Sequence, residues 1–156
     1  MLEHVELYDG SDAAYHTLIS GISRNSSINK LEFRRGVLHH QTVSSLVQVL
    51  KVNKTTTTLT ILSVYISPGD CVLLAEVLTI NNTVRELRIR PSGEKRLNQS
   101  TVLQIVKQLQ QNYTLELLVL WITDDDQFIR DVEILTKQHN NRQSHGVTTP
   151  LQVELW

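Results

Sequence analysis

The chain has 156 residues, 40% of them hydrophobic, which is enough for one domain with a buried core. Its net charge of −1 gives no electrostatic basis for nucleic acid or an anionic membrane as the main partner. Its single cysteine, Cys71, excludes an internal disulfide, and no apolar run is long enough to span a bilayer. Without a signal-like N-terminal segment, we expect a cytoplasmic protein that does not associate with membranes.

Six short stretches along the chain alternate apolar and polar residues, the pattern of a strand with one buried face. They read LEHVEL (2–7), INKLEF (28–33), TTTLTI (56–61), VRELRI (84–89), LELLVL (115–120) and PLQVEL (150–155). The last strand has a second possible register, TTPLQV (148–153). A sheet of about six strands is therefore predicted.

Between the strands, apolar residues recur at helical spacing and each segment ends near an asparagine. The apolar pairs are Leu18 and Ile22, Leu46 and Leu50, Leu74 and Leu78, and Ile105 and Leu109, followed by Asn25, Asn53, Asn81 and Asn112. A fifth helix is anchored by Phe128, Val132 and Leu135. Because asparagine tolerates the left-handed conformation after a helix end, we interpret these asparagines as helix stops.

The same four asparagines, together with Asn98, lie in sequences that fit the N-x-S/T pattern for sugar attachment. The five matches begin at Asn25, Asn53, Asn81, Asn98 and Asn112. Glycosylation is the alternative interpretation. The helix-stop interpretation is favoured because Ser and Thr also suit the turn that joins a helix to a strand.

The strand–helix unit repeats about every 28 residues, so neighbouring units must stack to bury a continuous core. The phrases LVQVLKVNKTTTTLTI (46–61) and LLAEVLTINNTVRELRI (73–89) resemble leucine-rich repeats of the ribonuclease-inhibitor class, closest to those of NOD-like receptors. The resemblance implies an α/β fold: a right-handed solenoid or horseshoe fragment, with the parallel sheet on the concave face and about five helices on the convex face. Residues 1–156 form one such domain, with repeats at about 1–27, 28–55, 56–83, 84–114, 115–149 and 150–156, the last one partial. We expect it to be a fragment of a longer protein.

One departure from the family concerns the turn after each strand, where the family usually has Asn or Cys bonded to the turn backbone. The corresponding residues here are Gly10, Gly36, Val64, Ser92 and Thr123. The turns are therefore expected to be less regular. The fourth unit also carries extra residues, a polar rim loop at 91–98 that includes Ser92, Glu94, Lys95 and Arg96.

Residues that could carry catalysis or bind a metal have simpler interpretations. Cys71 begins an apolar helix and is expected to be buried. His39 and His40 precede a helix in an expected solvated loop, without further ligands at metal-binding spacing. The run 124–126, DDD, is interpreted as a helix cap. We therefore predict no enzyme activity, no cofactor and no metal.

The strand residues between the leucines are expected to face the hollow of the solenoid and form the binding surface. One row reads Glu6, Glu32, Thr60, Arg88, Val119 and Glu154, and the next reads Tyr8, Arg34, Leu62, Arg90, Trp121 and Trp156. Trp, Tyr and Arg are typical interface anchors. The predicted contacts are Tyr8, Glu32, Arg34, Leu62, Arg88, Arg90, Trp121 and Trp156, in a groove that is basic in the middle and apolar toward the C-terminal end. Packing of these side chains against one another is the alternative.

Three function classes follow. The first is a ligand-sensing or protein-interaction repeat domain of a NOD-like-receptor-type innate immune protein, whose partner is a foreign protein or a neighbouring domain. The alternative is a stand-alone scaffold or inhibitor of ribonuclease-inhibitor or tropomodulin type. The third, an enzyme, is disfavoured. Self-association through open solenoid ends is also predicted.

Overall fold

The computed structural model describes residues 3–8, 10–92, 97–122, 136 and 151–156. Strands and helices alternate along the chain. They are β1 (His4–Tyr8), α1 (Asp12–Ile22), β2 (Lys30–Arg34), α2 (His40–Val52), β3 (Thr58–Val64), α3 (Pro68–Leu78), β4 (Glu86–Pro91), α4 (Gln99–Leu109), β5 (Leu117–Leu120) and β6 (Gln152–Leu155). The predicted fifth helix and the run 124–126 lie outside the described residues.

The six strands form one parallel sheet in chain order, β1 to β6. Leu31 pairs with Leu59, and this row continues through Leu87 and Leu118 to Val153. The predicted in-register stacking is confirmed. In the last strand, Val153 opposite Leu118 selects the PLQVEL register over TTPLQV.

One side of the sheet is buried against the helices in a single hydrophobic cluster. The predicted helix anchors of α2, α3 and α4 are all buried: Leu46, Leu50, Leu74, Leu78, Ile105 and Leu109. In α1, Ile22 is buried as predicted, but Leu18 is only partly buried, and Tyr15 and Ile19 fill the core instead. Burying each such side chain stabilises the fold by roughly 1.5–3 kcal/mol.

The asparagines lie at or just after the helix ends, but only Asn53 is itself a C-cap, and the physical reason differs from the predicted one. Asn53 is extended, with φ −68° and ψ 133°, and the positive-φ residues other than glycine among those described are Arg35 and Ser63. Asn81 Oδ1 instead accepts hydrogen bonds from the backbone N–H groups of Thr83 and Val84, both at 2.9 Å. A side-chain-closed turn, rather than a left-handed residue, therefore makes each joint.

The asparagine side chains also connect neighbouring units. Asn81 Nδ2 donates to the Leu50 carbonyl of the preceding unit at 2.7 Å, and Asn112 Nδ2 donates in the same way to Leu78. Asn53, Asn81 and Asn112 are at least 96% buried. These three amides cannot carry a sugar in the folded chain, which favours the structural interpretation of the sequons.

The turns after β2 and β3 are irregular, as the missing Asn or Cys predicted. Arg35 and Gly36 have φ of 58° and 90°, and Ser63, with φ 56°, forms a bulge in β3. The buried Tyr15 hydroxyl holds the first two turns, because it accepts from Gly10 N at 3.1 Å and donates to the Arg35 carbonyl at 2.7 Å. Tyr15, a side chain of α1, thus hydrogen-bonds to the backbone of both turns.

Within the described ranges, no helix combines the length and the apolar character that crossing a bilayer requires.

Candidate functional site

The side of the sheet opposite the helices, called here the open face, carries both predicted rows of side chains. Strand pairing aligns Glu6, Glu32, Thr60, Arg88, Val119 and Glu154 in one row. It aligns Tyr8, Arg34, Leu62 and Arg90 in the next. Trp121 and Trp156 directly follow β5 and β6, and their backbone N–H groups continue the ladder to Ile89 and Leu120.

The C-terminal end of the second row is a continuous stack. The Arg90 guanidinium lies 4.9 Å from the centre of the Trp121 ring, and the Trp121 and Trp156 rings stack with centroids 6.0 Å apart and planes 19° from parallel. Trp156 remains 60% exposed. Both tryptophans of the chain are therefore held in place by packing while one of them is available to a partner, a combination typical of interface anchors.

Arg35, which the strand pattern did not select, joins this surface at the other end. Its guanidinium lies 4.9 Å from the centre of the Tyr8 ring, and both side chains are exposed. Strict alternation would turn residue 35 away from the open face, but its positive φ breaks that alternation. Gly36 after two arginines is the sequence signal that could have indicated an irregular backbone here.

Arg34, Arg35 and Arg90 line an open pocket of about 190 Å³. Tyr8, Leu62 and Ser63 complete its lining. We call this the arginine pocket. Four of its six residues were predicted contacts, and Arg35 and Ser63 were not. Leu62 is partly buried between the two strands that carry Arg34 and Arg90.

Glu32 lies on the open face but is 98% buried beneath its neighbours. Its carboxylate contacts Lys30 at 3.2 Å, His4 at 3.2 Å and Arg34 at 2.7 Å. Burial by itself raises the pKa of Glu32, but the hydrogen bonds and charges of Lys30 and Arg34 outweigh it and leave the pKa below its ordinary value. The residue therefore organises the surface and is not accessible for contact.

The ligand atoms of His4, Glu6 and Glu32 lie within 4.8 Å of one another, close enough to suggest a metal site. Arg34 bonds to both carboxylates, with its Nε 3.0 Å from Glu6. Lys30 adds a second cation to Glu32. Because two cations already neutralise this group, it is an ion-pair network of the surface.

Arg88, a predicted contact, is separated from Glu32 by Thr60 in the row and contacts Glu86 at 3.3 Å. In the predicted rim loop, Ser92 is half-buried and its N–H donates to the Val64 carbonyl at 3.0 Å, which extends the strand pairing. Glu94, Lys95 and Arg96 lie outside the described residues.

Two groups among the described residues, Cys71 and the Ser67–Asp70–His40 cluster, lack the arrangement that nucleophilic catalysis needs. Burial, with a smaller contribution from the Asp70 charge, raises the pKa of the Cys71 thiol to about 12. Ser67, Asp70 and His40 are linked, but Asp70 lies between the other two, at 2.6 Å from each. Because the Ser67 hydroxyl caps α3 and does not contact the histidine, no nucleophile–base pair forms. His39 and His40 are exposed as expected, but His39 is the N-cap and His40 the first residue of α2, so they do not lie in a loop.

No protein-family model matches the sequence, and no curated protein matches it significantly. Several solved structures share its fold, among them the following two. A structure titled Leiomodin-1 Actin-Binding Site 2 matches with a TM-score of 0.75 and 20% identity, over 92% of this chain and 83% of that one. The tropomodulin C-terminal domain of Caenorhabditis elegans matches with a TM-score of 0.72 and 12% identity, over 92% and 87%. At these identities the likeness shows a leucine-rich-repeat-like fold.

Proposed function

We propose that this chain is a non-catalytic protein-binding repeat domain of the scaffold type, related in role to tropomodulin. The observation that carries the proposal is the Arg90–Trp121–Trp156 stack on the open face. An exposed tryptophan supported by a second ring and a guanidinium offers a large contact area whose conformational entropy is already reduced. The buried thiol of Cys71 is consistent with the absence of catalysis.

Actin is the first partner to test, because one structural relative is titled as an actin-binding site. The NOD-like-receptor interpretation, with ligand sensing in innate immunity, depends on the wording of the repeat phrase alone. Both structural relatives favour the scaffold alternative instead.

The test is calorimetric titration of monomeric actin with the wild-type chain and with a Trp121→Ala, Arg90→Ala double variant. We expect the double variant to bind at least about tenfold more weakly, since interface anchors of these types usually contribute more than 1 kcal/mol each. Ile80→Ala removes an apolar side chain that is 62% exposed beyond α3, and it should bind as the wild type does.

Thermal unfolding of the same variants separates recognition from packing. Nearly unchanged stability in the double variant supports a binding surface. A large loss of stability would assign the stack to intramolecular packing, and equal affinity of the wild type and the double variant would exclude the open face as the binding site. Absence of any actin binding would exclude actin as the partner.

A further inference from the structure

We propose that the arginine pocket binds a carboxylate side chain from an acidic, extended segment of the protein partner. This inference depends on the proposed function and specifies which chemistry the open face recognises. It is carried by the geometry of the pocket and by the charges around it.

The sheet register builds the pocket. Arg34, Leu62 and Arg90 are direct neighbours on β2, β3 and β4, so the two arginines stand about 10 Å apart with an apolar side chain between them. Arg35 enters from the irregular turn beside the Ser63 bulge. The result is a recess of about 190 Å³ with cationic walls and an apolar floor.

The charges of the pocket are only partly neutralised within the described residues. Arg34 is bonded to Glu6 and Glu32. Arg35 contacts the ring of Tyr8, and Arg90 contacts the ring of Trp121. Neither arginine has a carboxylate partner among the described residues. A guanidinium stacked on a ring is held in orientation while its N–H edge stays available for an anionic acceptor. Two positioned donors beside an apolar floor are complementary to a carboxylate on an aliphatic stem.

The same surface favours a peptide over nucleic acid. Two arginines without a carboxylate partner among the described residues, in a chain of net charge −1, offer little attraction to a phosphate backbone. The Trp121–Trp156 stack continues the row with an apolar surface that a peptide side chain can cover. Three strand spacings, about 14 Å, separate β3 from β6, and an extended peptide covers that distance in about four residues. The expected ligand is therefore an acidic residue followed by an apolar residue about four positions away.

Fluorescence polarisation tests this with a labelled ten-residue peptide that carries two adjacent glutamates and a leucine four residues later. We expect binding to the wild-type chain, at least about tenfold weaker binding of the peptide with glutamine for glutamate, and weakening by added salt. An Arg35→Gln, Arg90→Gln double variant should lose at least about tenfold in affinity for the glutamate peptide. Arg24→Gln, at an exposed arginine beyond α1, is the matched control and should stay within about twofold.

Each outcome decides between the two proposals. Equal affinity for the glutamate and glutamine peptides, or no effect of the double variant with its circular dichroism unchanged, overturns the acidic-segment proposal. If a Trp121→Ala single variant, which leaves both pocket arginines in place, still lowers actin affinity in that case, the proposed function stands alone. Arginine-dependent peptide binding without actin binding would support the arginine pocket as a carboxylate-binding site and would exclude actin as the partner. A labelled ten-nucleotide single-stranded DNA that binds as tightly as the glutamate peptide would overturn the choice of a protein ligand.

Discussion

Individual buried amides hold the repeat units of this molecule together. Asn81 uses its oxygen to close its own turn and its nitrogen to bond the preceding unit. The sequence indicated where these asparagines end the helical segments, because their spacing follows the repeat. It did not indicate their mechanism, since a bond from Asn81 to Leu50, 31 residues away, exists only after the units stack.

Replacement of Asn81 by alanine should lower the free energy of unfolding by about 2–4 kcal/mol. The change leaves two backbone N–H groups and one carbonyl without their side-chain partner in a buried site. Its exposed neighbour provides the control: Asn82→Ala should cost less than about 0.5 kcal/mol. Urea unfolding followed by circular dichroism measures both, and a similar small effect of the two variants would contradict the structural role.

Glu32→Gln should destabilise the chain at pH 7, and the difference from the wild type should shrink as the pH falls below 4.5. The pKa of Glu32 is lowered from its ordinary value of 4.5 by Lys30 and Arg34, which outweigh the opposing effect of burial. Its stabilising contribution is therefore complete above 4.5 and is lost as the pH drops through the lower value. Unfolding free energies at pH 7, 5, 4 and 3.5 measure the trend.

The matched control on the same face is Glu154→Gln. Glu154 is exposed and has no ion pair among the described residues, so its replacement should change the free energy of unfolding at pH 7 by less than about 0.5 kcal/mol. A wild-type advantage over Glu32→Gln that persists undiminished at pH 3.5 would mean that the Glu32 carboxylate is not what stabilises this cluster.

At the scale of elements, strands were predicted more completely than turns. Alternation with one buried face fixes register, because a shift by one residue would expose every leucine. This is why Leu31, Leu59, Leu87 and Leu118 align as expected. The position of Arg35 on the open face was not predicted, because its turn is held by the Tyr15 hydroxyl of the preceding helix. That contact joins separate elements, so the local sequence pattern does not indicate it.

Two glycines of the first unit should respond oppositely to alanine. A Cβ at Gly10 would lie 2.3 Å from the buried Tyr15 ring, so Gly10→Ala should destabilise by about 1–3 kcal/mol. Gly21, in α1, has open space around it, and Gly21→Ala should stabilise by about 0.5 kcal/mol because alanine favours helix. Thermal unfolding distinguishes them, and a shared sign would contradict this account of the first turn.

At the scale of the whole molecule, the units share one core, so the chain should unfold in a single transition. The hydrophobic cluster runs from Tyr15 through the central helices to Leu151, and the amides of Asn81 and Asn112 bond across unit boundaries. Stacked repeats with strong interfaces unfold together. The continuous core followed from the repeat period, whereas the extent of the open face depends on turn conformations that the repeat period does not specify.

Tryptophan fluorescence and circular dichroism should therefore give coincident urea transitions. Both tryptophans adjoin β5 and β6, so fluorescence reports one end of the sheet, whereas circular dichroism reports all helices and strands. Fluorescence that changes at lower urea concentration would show that this end opens independently. The predicted self-association through the sheet edges can be measured in the same samples from the dependence of the transition on protein concentration.

The open face has a polarity along its length. Charged groups, largely paired, cover β1 and β2, whereas aromatic and aliphatic side chains follow β4. A ligand laid across the strands would meet these two environments in a fixed sequence, so the surface distinguishes head from tail. A peptide of the same composition in which the acidic and apolar residues are adjacent could not reach both ends at once.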